Sequence, residues 1–352
     1  MSDAPTGHIS QRKLDHIDLC AQQQVEYRGK STLLEEVEFL HDSLPELSLD
    51  AIDLSSEVMG KRLAAPLLIT GMTGGAERAQ EINLTLARVA QELGIAFGVG
   101  SQRAMMRHPD LAQTYRVREV APDVLLFGNI GAVQVAESST AELEDLVGAI
   151  DADALCVHLN PGQEMIQPEG DRDFRGCIDG IARLVDALSV PVIAKETGCG
   201  IGPRALDKLK QTGVQWVDTS GAGGTTWVGV ETLRTTPEKA EIGDMFWDWG
   251  VPTGAAIGYA AERGFQVIGS GGLRTGLDAA RAIALGANLA GMALPWLKAA
   301  YNEGPEAALK YGHTTLHALR VACLLTGSHN LAELRQAPRI LGPNLQRWLA
   351  HQ

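Results

Sequence analysis

Between residues 66 and 292 the chain alternates between two kinds of apolar pattern. Short runs rich in Ile, Leu, Val and Ala occupy 66–71, 95–100, 124–128, 154–159, 191–195, 215–219, 266–271 and 288–292. They are nearly continuous, as in parallel strands covered on both faces, and lack the polar alternation of strands with one wet side. Between most of them lie stretches with helical spacing. In 79–93, Ile82, Leu86, Val89 and Leu93 recur every three or four positions and mark one buried helical face. Eight strand–helix repeats in steady alternation predict an α/β protein folded as a (β/α)8 TIM barrel. A doubly wound open sheet is the alternative, because alternation alone does not say whether the sheet closes.

Three segments fall outside the repeat. Residues 1–65 form an N-terminal extension, helical around 13–24 and looser up to 65. Residues 220–252, SGAGGTTWVGVETLRTTPEKAEIGDMFWDWGVP, form an insertion after the sixth strand and hold three of the six tryptophans. A long connection at that place is more often a functional lid than a passive link. Residues 298–352 read as helices that cover the barrel or join subunits. The expected organisation is one barrel domain over 1–352, with 66–297 as the barrel proper.

Composition narrows the function. The chain has 352 residues, 45% of them hydrophobic, with only 5% aromatic but 39 glycines. That balance suits many tight strand-to-helix turns better than an aromatic-rich β-sandwich. A net charge of −13 offers no basic face for generic nucleic-acid binding, although a local basic pocket for an anionic small ligand remains open. No apolar run reaches about 18 residues, so no membrane span is expected. The start, MSDAPTGHISQRK, is polar and carries no secretory-signal core. Five scattered cysteines (Cys20, Cys156, Cys177, Cys199, Cys323), without C-x-x-C spacing, favour a reducing cytoplasm and weigh against zinc or iron–sulfur sites.

Barrel chemistry sits at the C-terminal ends of the strands, and the motifs there are polar and glycine-rich. TGMTGG follows the first strand and is either a ligand cradle or a plain turn. GSQRAM follows the second; Ser101 and Gln102 can donate hydrogen bonds, and Arg103 can clamp a phosphate or stand as a surface arginine. Asn129 follows the third strand, as a ring-edge partner or a turn residue. After the fourth come His158, Asn160, Gln163 and Glu164, then the charged run 169–173. Glu164 is a candidate ligand for Mg2+, which favours a few carboxylates together with phosphate oxygens. Lys195 ends the apolar fifth strand and needs a negative partner there. Ser220, Thr225 and Thr226 follow the sixth strand, and Gly271 and Gly272 the seventh. Glycine loops after strands seven and eight are the usual phosphate pocket of this fold. Arg12, Lys13 and His16 form a basic cluster in an acidic chain, either a solvated tail or a source of positive charge at the barrel mouth.

RKLDH, TGMTGG, GSQRAM, GNIG, HLNPGQE with PEGDRDF, VPVIAKETG, VDTSGAGGTTW and GSGGLRTGLDAA together resemble type 2 isopentenyl-diphosphate isomerases. The likeness spans residues 12–297, with the motifs in family order; Leu14 stands where acidic residues are common. It implies an FMN-dependent TIM barrel that interconverts isopentenyl and dimethylallyl diphosphate, using reduced flavin, NADPH as reductant and Mg2+. It implies flavin contacts at Gly71, Met72, Thr73, Ser101, Asn129, Lys195, Ser220 and Thr225. The flavin phosphate would lie on Gly271, Gly272 and Leu273, near Ala293 and Leu294. The substrate diphosphate would meet Arg12, Lys13, Ser101, Gln102, Arg103 and Gln163, with Glu164 on the metal. The N-terminal extension would then contribute to the active site. Flavin would carry the proton, Lys195 would favour its anionic reduced form, Gln163 would orient the substrate, and His158 and Glu231 would be accessory groups. A homo-oligomer of four or more copies in the cytoplasm is also implied, with no nucleic-acid or membrane partner.

The competing reading is another FMN barrel oxidoreductase, such as a 2-hydroxy-acid oxidase. That chemistry needs a histidine base near the late strands, and GSGGLR carries none. Glutamate synthase-like chemistry would want clustered cysteines. A phosphate-binding barrel without catalysis would not need Gln163 and Glu164 beside the Arg12–Lys13 pair.

Overall fold

The computed structural model describes residues 6–351, with side chains from Arg12 onward; the first five residues of the polar start lie outside it. Eight parallel strands close into a barrel: β1 (Leu67–Ile69), β2 (Ala96–Gly98), β3 (Leu126–Gly131), β4 (Ala154–Leu159), β5 (Val192–Glu196), β6 (Trp216–Asp218), β7 (Gln266–Ser270) and β8 (Leu289–Met292). Each pairs with the next, and β8 returns to β1, so the open-sheet alternative falls.

Every apolar run coincides with a strand, but β3 and β5 run past the ends of theirs. The third run was expected to stop at Gly128, with Asn129 following it. Instead β3 continues to Gly131, because Asn129, Ile130 and Gly131 stay in register with Cys156, Val157 and His158 of β4. Backbone pairing outweighs the weak strand preference of asparagine and glycine. The same register sets Lys195 beside His158 on one side and Asp218 on the other, so three polar groups share one level near the mouth.

The barrel floor comes from the stretch expected to be loose. A hairpin, Ser56–Val58 with Lys61–Leu63, inserts Val58 and Leu63 beneath the barrel, among Leu68, Phe127, Cys156 and Ile193. Lys61 ties it down through the Val124 carbonyl at 3.2 Å and Asp153 at 2.8 Å. Further on, Val37–Phe39 pairs with Arg339–Leu341 near the far end of the chain. These short strands lack apolar runs of their own, and distant partners create them.

At the opposite end, helix Thr6–Gln22 packs on helices Leu294–Glu303 and Trp227–Thr232. The insertion carries two helices, Trp227–Thr232 and Pro237–Met245. It is stitched to the N-terminal extension: Arg28 lies 3.7 Å over the Trp247 ring, and Asp248 accepts the backbone N–H groups of Arg28 and Gly29 at 2.8 and 2.9 Å. After β8 the chain is largely helical, and Pro305–Leu325 packs on Glu77–Leu93 and Gly276–Ala284. No helix among the described residues is long and apolar enough to cross a membrane.

Candidate active site

The strand ends and helix Thr6–Gln22 enclose a cavity of about 1290 Å3. One half is built for a flat ligand with an anionic tail. Gly71, Met72 and Thr73 line it after β1, and Ser101 after β2. The Thr73 hydroxyl is buried without a hydrogen-bond partner. A buried donor left open at a cavity wall calls for a ligand atom. Ser220 and Thr225 lie on the wall after β6, with Ser220 held at φ +35°. Gly271 and Gly272 take φ +99° and +80°, and a Cβ on Gly271 would sit 2.2 Å from the Gly221 carbonyl oxygen. Beside them, with Leu273, stand Ala293 and Leu294, where helix Leu294–Glu303 begins. Free backbone donors at a ten-residue helix start, next to glycines that admit close approach, suit a phosphate.

Lys195 lines the cavity from the end of β5, between His158 of β4 and Asp218 of β6. Only 7% exposed, its ammonium lies 3.1 Å from the Asp218 carboxylate and donates to the Glu196 carbonyl at 2.9 Å. Asp218 also accepts from the Ser270 hydroxyl and, at 3.3 Å, from the Ser220 backbone N–H. The neighbouring Glu196 carboxylate accepts the N–H groups of Thr197, Cys199 and Gly200 and shapes the turn after β5. Burial nonetheless pushes its acid up to about 7.

His158 is held neutral. Burial, with Lys13, Lys195 and Arg103 nearby, drives its pKa down to about 3. Asn129 donates through Nδ2 to the Val99 carbonyl at 3.2 Å, which leaves Oδ1 to accept from His158 Nδ1 at 2.8 Å. The proton therefore sits on Nδ1, and Nε2 offers a lone pair. His158 thus leaves Nε2 free to accept a hydrogen bond and offers no positive charge to an anion.

The other half of the cavity gathers charge. Arg12, Lys13 and Arg103 line it, with Gln163 and Glu164 from the short helix Pro161–Ile166 after β4. Burial, with repulsion from Arg12 and Arg103, lowers the Lys13 pKa to about 7. Holding such a group against two guanidinium ions is unfavourable until an anion arrives. Glu164 is buried, accepts from Asn160 at 2.8 Å and from the Asp171 backbone N–H at 2.6 Å, and has its pKa raised by desolvation. Among the described residues, no three His, Cys, Asp or Glu side chains stand together as a metal cage. A divalent ion would fit here only with oxygens supplied by a ligand, as a lone carboxylate and a diphosphate together provide.

Glu231 is the buried hub behind this half. Fully enclosed, it accepts from Gln163 at 3.1 Å, meets His16 at 2.9 Å and pairs with Arg234 at 2.7 Å. Burial alone would raise its pKa, but His16 and Arg234 pull it down to about 2. His16 stacks edge-on against Trp227 at 5.1 Å, so the hub also fastens the N-terminal helix to the insertion.

Nearly all residues singled out in the sequence reach the cavity wall, and three do not. Thr226 is buried and caps helix Trp227–Thr232, its hydroxyl accepting the Gly229 backbone N–H at 3.2 Å. Gln102, expected to meet a substrate, is completely buried: its oxygen accepts the Asn129 backbone N–H at 2.9 Å and its nitrogen donates to the Leu146 carbonyl at 3.0 Å. It braces β3 instead, because the turn after β2 swings only Ser101 and Arg103 to the opening. Glu231 lies one layer back and reaches the cavity through Gln163. The sequence reading missed Asp218, Arg234 and Gln134. The i,i+3 spacing of Glu231 and Arg234 was a visible signal, whereas Gln134 had none.

Comparison with known proteins matches this architecture. The FMN-dependent dehydrogenase family aligns with residues 6–120 and 164–340. The chain is 45% identical over 343 residues to an isopentenyl-diphosphate delta-isomerase of Methanothermobacter thermautotrophicus, covering 97% of this chain and 96% of that one. It is 46% identical over 344 residues to the protein of the same name from Synechococcus sp., covering 97% and 98%. Among solved structures, a mandelate oxidase with (S)-2-phenylpropionate superposes with a TM-score of 0.63 at 15% identity, covering 97% and 99%. A mandelate oxidase variant with a monooxide FMN adduct does so with 0.63, covering 96% and 100%. At that identity the likeness shows a shared barrel and no shared reaction.

Proposed function

The chain belongs to the isopentenyl-diphosphate delta-isomerase family, on the FMN-dependent dehydrogenase barrel, and from that premise we propose how its own residues serve the reaction. It interconverts isopentenyl and dimethylallyl diphosphate, a 1,3-allylic proton shift that serves isoprenoid synthesis. The observation that carries this reading is the two-part cavity. One cavity is lined by a glycine turn fit for a phosphate with the open Thr73 hydroxyl, by a cluster of cations built on Arg12, Lys13 and Arg103, and by Lys195 and His158. Reduced flavin, when bound, supplies a proton at N5 and an electron-rich face beside the cation-like centre.

Thr73, Asn129, Ser220, Thr225 and the Gly271–Leu273 turn would hold the flavin, with Lys195 at its N1/O2 edge. The Lys195 ammonium would stabilise negative charge on the reduced ring in a site where little water screens it. Arg12, Lys13 and Arg103 would anchor the diphosphate, far from the reacting carbons. Glu164 would carry Mg2+ between itself and that diphosphate. Gln163, held by Glu231, would set the hydrocarbon end, and the N-terminal helix would keep water from the cation-like state. NADPH as reductant, an assembly of four or more copies and a cytoplasmic setting complete the proposal; five free cysteines suit a reducing compartment.

The direct test is to load purified protein with FMN, add NADPH and Mg2+ without oxygen, and follow isopentenyl diphosphate to dimethylallyl diphosphate. Protein that stays colourless after reconstitution would sink the flavin reading. Stoichiometric flavin reoxidation by a substrate, without allylic product, would favour an oxidase instead. Glu164→Gln should raise the Mg2+ needed for half-maximal turnover about 10- to 100-fold while flavin stays bound. Flavin loss in that variant would contradict the assignment.

Lys13 adds a pH dependence. Its pKa lies near 7 in the folded chain, so it is charged below that pH and neutral above it. A bound diphosphate restores the charge, so binding above pH 7 takes up a proton and weakens by up to about tenfold per pH unit. Calorimetry with inorganic pyrophosphate from pH 6 to 9 should show that slope, corrected for the ligand's own titration by Lys13→Arg. Arginine stays charged throughout, and parallel curves for the two proteins would refute the role of Lys13.

A further inference from the structure

We infer that the acidic turn at 169–171, and Asp171 above all, sets the selectivity of the cation cluster by occupying it, so that a diphosphate binds well only together with a divalent cation. The inference rests on the diphosphate reading above.

Arg12 and Arg103 already have a carboxylate partner from this turn. Glu169 Oε1 lies 3.4 Å from Arg12 Nη1, and 3.9 Å from Arg234 Nη1. Asp171 Oδ2 lies 3.3 Å from Arg103 Nη1 and accepts from Gln134 Nε2 at 3.1 Å. Lys13 is buried beside Arg12 and Arg103, and both disfavour its charge.

The same turn is packed against Glu164. The Asp171 backbone N–H donates to Glu164 Oε2, and Arg172 donates to the Glu164 carbonyl and, at 3.0 Å, to that of Gln167. A Cβ on Gly170 would lie 2.0 Å from the Glu164 carbonyl oxygen and 2.9 Å from its carboxylate. The carboxylates that oppose an incoming anion and the carboxylate fit for a cation are therefore one mechanical unit.

An anion entering alone must share or displace Glu169 and Asp171, and it meets their charge at close range. Arg12 and Arg103 then attract it less than free arginines would. A divalent cation beside Glu164 reverses the balance by neutralising the turn and releasing both guanidinium groups. This is selectivity through a repulsive element: lone phosphate and carboxylate ligands are disfavoured, and a metal-bound diphosphate is not. Asp171 is 24% exposed at its side chain and Glu169 50%, so Asp171 is screened less and carries the larger share.

The test is calorimetry of inorganic pyrophosphate binding to FMN-loaded protein, with and without Mg2+, for the wild type, Asp171→Asn and Glu169→Gln. Without metal, Asp171→Asn should bind about three- to fivefold more tightly than wild type and Glu169→Gln should gain less. The tightening produced by Mg2+ should shrink in the same order. A damaged fold would lose affinity, so it cannot imitate this gain. If Asp171→Asn proves unstable, the half-exposed Glu169 still carries the test. Unchanged or weaker metal-free binding in both variants, with normal wild-type binding, overturns the role of the turn alone. Wild-type protein that binds no pyrophosphate even with Mg2+ overturns the diphosphate reading, and this inference with it.

Discussion

Gly271→Ala should yield a protein that no longer retains FMN and melts several degrees below the wild type. The residue sits at φ +99°, and an added Cβ would lie 2.2 Å from the Gly221 oxygen and 2.3 Å from the Gly221 nitrogen. Both contacts are with backbone, so no side chain can turn aside to make room. The strained dihedral alone costs about 1–3 kcal/mol, and relieving the overlap must move the turn that faces the proposed flavin phosphate. The flavin spectrum after gel filtration and a thermal melt measure both effects. Full flavin occupancy in the variant would show that the phosphate lies elsewhere.

The second large effect is expected at Glu231, whose charge joins the N-terminal helix, the insertion and Gln163. Glu231→Gln leaves Arg234 and His16 facing a neutral amide in a closed space. Breaking one side of a buried ion pair costs about 3–5 kcal/mol, and here the half-exposed Glu169, 3.9 Å from Arg234, offsets only part of it. Turnover should fall about 100-fold, the scale for misplacing a substrate-orienting group when Gln163 loses the carboxylate that holds it, with FMN still bound. The pH dependence of stability carries a separate signature. The folded carboxyl titrates near 2, below its ordinary value of 4.5. Its contribution is therefore complete above pH 4.5 and is lost as pH falls towards 2. That loss, about 3 kcal/mol, should be visible in acid unfolding of the wild type and absent in Glu231→Gln. Near-normal turnover in the variant would remove Glu231 from the reaction and leave it a purely structural hub.

Much of this site is legible in one dimension because barrel geometry converts sequence position into place. A polar residue at the end of an apolar strand must emerge at the mouth, so Lys195, His158 and Gly271 could be assigned without coordinates. Gln102 shows the limit. It follows Ser101 and precedes Arg103 in one turn, yet faces the opposite way and braces β3. Only the local path of the backbone decides which of three adjacent side chains faces the cavity. The floor hairpin escaped notice for a related reason: Val58 and Leu63 are lone apolar residues whose role exists only beneath the assembled barrel.

By itself the sequence determined the eight-fold strand–helix alternation, because buried parallel strands need unbroken apolar runs and the spacing between runs needs helices, whereas closure of the sheet into a barrel was decided by the tertiary structure. It also determined the chemical types at the strand ends. The tertiary structure alone decided the pairings across distance: Asp218 on Lys195, His16 and Arg234 on Glu231, and Asp171 and Glu169 on the two arginines. Those pairs join residues whose closeness follows from closure of the sheet and the path of the loops. A side chain's charge is written in the chain, but its partner, and so its pKa and its strength, depends on what folding brings within a few ångströms.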